Sequence, residues 1–231
     1  MKGYKYERFE SISSTNDYAK LKRLAKENLI IIAESQTGGR GTKGRSFSSN
    51  KGGLYLSVLT FYDNFPADRA FEMMQNYAAA VCETLTFFGV KPQIKWPNDI
   101  LTGGKKICGI LIENTFLGKF ISSSIVGLGL NIVNQLPEEL TQIATTLQRE
   151  TGKSYSVKEV EEKLLYYLEK GVGEKYGSYL GFIGETVTLS SGDKTIRAKI
   201  TGVDDKGNLL AEVDGEVRVY ASAEVRIFTG Q

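Results

Sequence analysis

The chain has 231 residues, a formal net charge of +2, an ordinary apolar content and no histidine. That length holds one large domain or one medium and one small, and the near-neutral charge argues against a general nucleic-acid binder. Without histidine, Ser-His-Asp and Cys-His catalysis and histidine-bound metals are excluded, so chemistry near neutral pH falls to positioning, lysine and arginine electrostatics, carboxylates or a bound metal. Cys82 and Cys108 do not make a disulfide framework. No charged-then-apolar leader opens the chain and no apolar run reaches membrane-spanning length, so a soluble cytoplasmic protein is expected.

Taken in chain order, Ser14-Thr-Asn-Asp17 predicts a helix start, with Ser14 and Asp17 approximating a capping box and Tyr18, Leu21, Leu24 and Ala25 following at helical spacing. Leu29–Ala33 predicts a strand. The next segment, Glu34 to Arg45, interleaves glycines with Arg40, Lys43 and Arg45. Glycine lets backbone N–H groups approach a ligand, and the cations suit phosphate or carboxylate oxygens. Gly39-x-Gly41-x-x-Gly44 satisfies a dinucleotide fingerprint, and Gly39-x-x-x-x-Gly44-Arg45-Ser46 approaches a P-loop with arginine in place of lysine. Both motifs must open a helix, whereas Ser46 to Gly53 is turn-rich and leads into a strand at Leu54–Phe61. Taken alone, the segment reads equally as an anion site outside those two folds or as a solvated basic loop.

After Pro66, Phe71, Met74, Ala78, Val81, Leu85 and Phe88 predict a core-packed helix ended by Gly89. Ile94–Trp96 reads as a short strand stopped by Pro97, with Asn98 and Asp99 at the turn's tip. Asn98 could meet a base edge or ribose, and Asp99 could hold a metal or orient Lys95. Taken alone, a capped turn with a buried tryptophan explains the segment better. Gly103-Gly104 predicts a hairpin turn into Ile107–Glu113. Lys106 either snorkels to solvent or points into a pocket toward an anion, Gly109 permits close approach, and Cys108 reads as a small buried hydrophobe. Ser122–Gly127 predicts a strand. Gly127-x-Gly129-x-Asn131 exposes backbone at its end, either as a tight turn or with Asn131 on a ligand. Helices are expected near Glu138–Glu150 and Val157–Lys170. From Gly184, short strands at Glu185–Leu189, Thr195–Val203, Asn208–Val213, Val217–Tyr220 and Val225–Phe228 predict a small barrel, dividing the chain into residues 1–183 and 184–231.

Five segments in register resemble the biotin–protein ligases: Ser14-Thr-Asn16; Gln36 with Gly39-Arg-Gly41 and Gly44-Arg45; Lys95-Trp-Pro-Asn-Asp99; Lys106-x-x-Gly-Ile-Leu-x-Glu113; and Gly127-x-Gly-x-Asn131. The resemblance spans nearly the whole chain. It implies an α+β fold, a mixed sheet flanked by helices as in class II aminoacyl-tRNA synthetases, with a C-terminal SH3-like barrel. It implies activation of biotin with ATP and Mg2+ and transfer to one lysine of a biotin carboxyl carrier protein. On this resemblance Ser14, Thr15, Asn16 and Gln36 would bond the biotin rings, beside Gly39 and Gly41. Arg40 and Lys106 would be the catalytic cations at the biotin carboxylate and α-phosphate. Arg45, Phe47, Lys95, Asn98 and Asn131 would lie by the nucleotide, and Asp99 by its metal.

The chain departs from the family pattern in three places. Thr42 stands where an arginine that retains the adenylate is usual, with Lys43 next door as a possible substitute; the expected result is looser retention and stray acylation of lysines. Phe47 stands where tryptophan is common. Only a few residues precede Ser14, leaving no room for the winged-helix domain of family members that repress transcription, so no direct DNA regulation is expected. Homodimers are common in the family. Two other readings compete: a lipoate- or octanoate-type protein ligase of shared architecture, and a non-catalytic biotin sensor.

Overall fold

Period-two burial along the central strands sorts two chemistries onto the two faces of one sheet. The computed structural model describes residues 1–228, apart from the side chain of Lys43. Strands β1 (Lys5–Phe9), β2 (Leu29–Ala33), β3 (Leu54–Pro66), β4 (Gln93–Lys95), β5 (Asp99–Thr102), β6 (Lys105–Leu117) and β7 (Phe120–Leu130) form a sheet in the order β1-β2-β3-β7-β6-β5-β4. β1 and β2 pair in parallel and the other neighbours antiparallel. Helices α1 (Thr15–Lys22), α2 (Phe71–Phe87), α3 (Leu147–Thr151), α4 (Val157–Lys170) and α5 (Tyr176–Tyr179) flank it.

On one face Ile30, Leu56, Val58, Val126, Leu128 and Ile110 pack in the main core with Ala78, Val81 and Leu85 of α2 and Val160, Leu164 and Leu168 of α4. Each buried leucine or valine there contributes roughly 1.5–3 kcal/mol. On the other face Leu29, Ile31, Leu59 and Ile125 pack with Ala19 of α1. Beyond α1 that face carries small residues, Ser57, Gly127, Gly129 and Gly109, and a hollow opens there. The sheet continues beneath it, so the hollow has a rigid floor.

Several expected elements are longer or differently placed. The strands expected at Leu54–Phe61, Ile107–Glu113 and Ser122–Gly127 extend to Leu54–Pro66, Lys105–Leu117 and Phe120–Leu130. The continuous helix expected over Glu138–Glu150 does not form. A single 3-10 turn at Glu138–Leu140 and the short α3 are separated by an extended stretch. There Lys106 N donates to Ile143 O (2.9 Å) and Thr145 N to Lys106 O (2.9 Å), so the backbone serves the sheet edge instead of a helix. Thr146 then caps α3 through its side chain.

The C-terminal strands β8 (Thr186–Ser191), β9 (Lys194–Val203), β10 (Leu209–Val213), β11 (Glu216–Tyr220) and β12 (Arg226–Phe228) form a second sheet, β11-β10-β9-β8-β12. This corrects the expected barrel. Among the described residues β11 and the three-residue β12 pair only on their inner sides, so the sheet stays open. Trp96, from the end of β4, joins the second sheet's core beside Leu189 and Ile200, and its Nε1 donates to Gly207 O at 2.9 Å. One indole therefore ties the two sheets together beside Asn98 and Asp99.

Candidate active site

The polar end of the hollow is built at the start of α1. Ser14 caps the helix, its Oγ accepting from Asp17 N (3.3 Å). The Asp17 carboxylate does not complete a capping box; it turns to Arg40 and Lys20. Thr15 and Asn16 are 3% and 5% exposed, so their polar atoms need partners. Gln36 Oε1 accepts from Thr15 N (2.8 Å) and Thr15 Oγ1 (3.0 Å), and Gln36 Nε2 donates to Ser49 Oγ (2.9 Å). Ser57 Oγ lies 2.7 Å from Thr15 Oγ1 and 2.6 Å from Asn16 Oδ1, and Asn16 Nδ2 donates to Glu113 Oε2 (3.0 Å). Sequence reasoning had assigned no role to Ser57 or Glu113. The one signal for Ser57 was a hydroxyl inside the apolar run of β3.

The glycines read as exposing backbone instead make room for side chains. Gly127 and Gly129 lie within β7, opposite Leu111 and Gly109 of β6. A Cβ on Gly127 would collide with the Asn16 amide, and one on Gly129 with the Phe47 ring. A Cβ on Gly109 would come within 3.0 Å of Lys106 Cε and Nζ. Lys106 reaches this face through a bulge: Ile100 pairs with Cys108 but Leu101 with Lys106, leaving Ile107 as the extra residue. Ile107 and Cys108 both enter the main core, while Lys106 and Gly109 face the hollow. Burial pushes the Cys108 thiol well up, in keeping with a core residue.

The glycine-rich segment is a small ordered hairpin whose tip, Gly44 to Ser46, is exposed. Gly41 N donates to Arg45 O (2.6 Å) and Phe47 N to Gly39 O (2.9 Å). A Cβ on Gly39 would strike Phe47 O and Ser49 Oγ. The turn holds Arg40 over the hollow, with its NH1 2.6 Å from Asp17 Oδ1 and 3.7 Å from Glu113 Oε1. Arg45 donates weakly to Thr42 O and Oγ1, both at 3.4 Å. The Lys43 side chain, considered as a stand-in for the missing arginine, lies outside the described residues.

Lys106 Nζ meets Asp99 Oδ1 at 2.5 Å and sits 5.7 Å from the centroid of the Phe47 ring, which Tyr55 supports edge-on. Asp99 therefore orients Lys106, and it also lies opposite Lys95 in the β4–β5 pairing. Burial pushes the Lys95 ammonium down, the nearby Asp99 opposes this, and Lys106 and Arg45 add to it. Asn98 is locked to β6: its Nδ2 donates to Ile110 O (2.7 Å) and its backbone carbonyl accepts from Ile110 N (3.0 Å). Asn131 is placed differently. Its Oδ1 accepts from Asn134 Nδ2 (3.1 Å), and it lines neither cavity described below.

Two cavities adjoin. The first is lined by Ser14, Thr15, Asn16, Gln36, Arg40 and Lys106, over Gly109, Gly127 and Gly129. The second runs between the two sheets and is lined by Lys95, Asp99, Phe71, Lys206 and Arg226 among others. Thr42, Arg45, Asn98, Ile110 and Leu111 border both. A narrow polar chamber thus opens, past two cations, into a wider cleft that carries more cations.

The Biotin/lipoate A/B protein ligase family matches residues 8–131, and the Biotin protein ligase C terminal domain matches residues 182–227. The Bifunctional ligase/repressor BirA of Bacillus subtilis is 31% identical over 223 residues, covering 88% of this chain and 67% of that protein. The Biotin--[acetyl-CoA-carboxylase] ligase of Mycobacterium tuberculosis is 28% identical, covering 86% and 79%. Among solved structures, the biotin protein ligase of Aquifex aeolicus in complex with biotin and ATP superposes with a TM-score of 0.78 at 29% identity, over 99% of both chains.

Proposed function

This chain belongs to the Biotin/lipoate A/B protein ligase family and is an ATP-dependent biotin–protein ligase, and on that premise we propose how its residues divide the work. Biotin occupies the first cavity, its ring polar atoms bonded by Thr15, Asn16 and Gln36 in a hollow floored by glycines and by Ile110, Leu111 and Leu128. Its carboxylate points to Arg40 and Lys106. ATP spans the wider cleft and its junction with the first cavity, where Phe47 borders the adenine, with the sugar near Asn98 and the phosphates toward Arg45 and Lys95.

Two anions must meet for the first step. A biotin carboxylate oxygen attacks the α-phosphorus, the bond to the β-phosphate oxygen breaks, and pyrophosphate leaves. Arg40 and Lys106, already fixed by Asp17 and Asp99, hold the charge that develops on the α-phosphate oxygens. Lys106 exchanges part of its Asp99 contact for phosphate. Magnesium, when bound with ATP, would shield the leaving pyrophosphate. One carboxylate, Asp99, together with phosphate oxygens fits the hard oxygen donor set that magnesium takes. In the second step the neutral amine of a carrier lysine attacks the mixed anhydride's carbonyl carbon and AMP leaves. The acceptor in this reading is a biotin carboxyl carrier protein.

We place the boundary between the two units at residues 183/184, with Trp96 and the Asp204–Asn208 turn as their joint. No helix among the described residues is long and apolar enough to cross a membrane; the cytoplasm, where carboxylases would supply the acceptor, is the proposed site of action. The near-neutral net charge supports action without direct DNA binding.

The observation that supports this reading most is the junction itself: a polar chamber and an open cleft meeting where Arg40 and Lys106 converge. Incubation with magnesium-ATP, equal biotin and lipoate and a carrier domain, followed by mass spectrometry, tests it. One biotinyl group on the carrier lysine is expected; an unmodified carrier, or modification with lipoate in place of biotin, would refute it.

A further inference from the structure

We propose that Lys20 is a positioning residue for Arg40, bridging and neutralising the two carboxylates that would otherwise both draw on the arginine's charge. The inference rests on the reading that Arg40 meets the biotin carboxylate and the α-phosphate.

Asp17 and Lys20 lie three residues apart on α1, so their side chains share a face. Lys20 Nζ sits 3.2 Å from Asp17 Oδ1 and 2.8 Å from Glu113 Oε1. Those same two oxygens face Arg40 NH1, at 2.6 and 3.7 Å. The remaining oxygen of Glu113 accepts from Asn16 Nδ2. One ammonium thus stands between the acid that holds the arginine and the acid that holds the ring-binding amide. Burial pushes both carboxyls up, but Arg40 and Lys20 at Asp17, and Lys20 and Asn16 at Glu113, outweigh it and bring both below ordinary carboxylate values. Both acids are therefore anionic at neutral pH.

The charges explain why the lysine is needed. With Lys20 present, the two acids are matched by two bases at the chamber's mouth. Without it, two carboxylates converge on one guanidinium and the mouth becomes net negative. Incoming carboxylate and triphosphate then meet repulsion, and Arg40 is drawn toward Glu113 and away from the chamber. An isolated exposed pair would contribute little. Here the four charges share atoms, and such networks couple more strongly than separate pairs.

A binding cycle with a non-hydrolysable biotinyl-adenylate analogue tests the proposal, using wild type, Lys20→Met, Arg40→Ala and the double variant. Methionine keeps the methylene packing and removes the charge; Lys20→Gln serves if the methionine variant fails to fold by circular dichroism. Lys20→Met should weaken binding about tenfold when Arg40 is present and about twofold or less when Arg40 is alanine. Lys20→Arg should return affinity to within about twofold of wild type. In ATP–pyrophosphate exchange, Lys20→Met should raise KM for biotin more than it lowers kcat. An unaltered affinity in Lys20→Met, an equal loss in both Arg40 backgrounds, or no rescue by arginine would overturn the role given to Lys20 and leave the proposed function standing. Wild-type affinity in Arg40→Ala would instead remove the anion site itself, and this inference with it.

Discussion

At the scale of single residues, what the sequence displayed were the cations. Arg40 stood among glycines and Lys106 at the head of an apolar strand; each placement taken alone read equally as a solvated charge, and the five segments in register decided for an anion site. Their partners were harder to read. Ser57, Asp17, Lys20 and Glu113 are ordinary residue types whose roles exist only because β3, β6, α1 and the glycine hairpin converge. Asn131, placed after two glycines, reads either as part of a turn or as a ligand residue, and in the structure its Oδ1 accepts from Asn134 Nδ2. Lys106→Ala should lower biotin-dependent ATP–pyrophosphate exchange by about 100-fold, the scale seen when one charge-stabilising donor is removed. Near-normal exchange in that variant would take Lys106 out of the reaction. Thr42 borders both cavities, where a longer cation would reach the α-phosphate. Thr42→Arg should slow release of biotinyl-adenylate and reduce stray acylation of a bystander protein such as serum albumin. Equal bystander labelling by both forms would show that position 42 does not govern retention.

At the scale of elements, period and propensity located the helices of the main core and most strands. They missed β1 and β5, which are short and owe their structure to their neighbours across the sheet. They also joined Glu138–Glu150 into one helix, because hydrophobic spacing could not reveal that the backbone of Ile143 and Thr145 bonds to Lys106. The bulge at Ile107 was likewise hidden. A strict alternation would have turned Lys106 into the core, and one extra residue reverses that. The glycines of β7 now have separate tasks. Gly127→Ala should displace Asn16 and raise KM for biotin about tenfold or more, with a small effect on ATP. Gly129→Ala should displace Phe47 and raise KM chiefly for ATP. The scale follows from the roughly 1–3 kcal/mol of an overpacked buried site. If both variants altered the same KM, the assignment of Gly127 to biotin and of Gly129 to ATP would be wrong.

At the scale of the whole molecule, the second sheet closes one wall of the nucleotide cleft, and Gly207 is where it docks. Gly207 has φ of +85°, and a Cβ there would strike the Phe71 ring. Gly207→Ala should destabilise the docked arrangement by about 1–3 kcal/mol, raise KM for ATP, and speed proteolysis between the two units. Acid should weaken the fold in a defined direction. Asp17, Glu83 and Glu113 have pKa values held below their ordinary 3.8, 4.5 and 4.5 by nearby cations and donors, against burial. Their stabilising contribution is complete above those ordinary values and is lost as pH falls through the lower folded ones. Tm should therefore be nearly level from about pH 6 to 8 and drop steeply below about pH 4; a Tm unchanged at pH 3 would show that these contacts contribute nothing.

The most direct measurement is a crystal structure of this chain with a non-hydrolysable biotinyl-adenylate analogue. The account predicts the bicyclic ring against Thr15, Asn16 and Gln36, and the phosphate-equivalent oxygens within hydrogen-bonding reach of both Arg40 and Lys106. An analogue whose acyl–phosphate linkage lies beyond the reach of those two cations, with Arg40 still closed on Asp17, would contradict it.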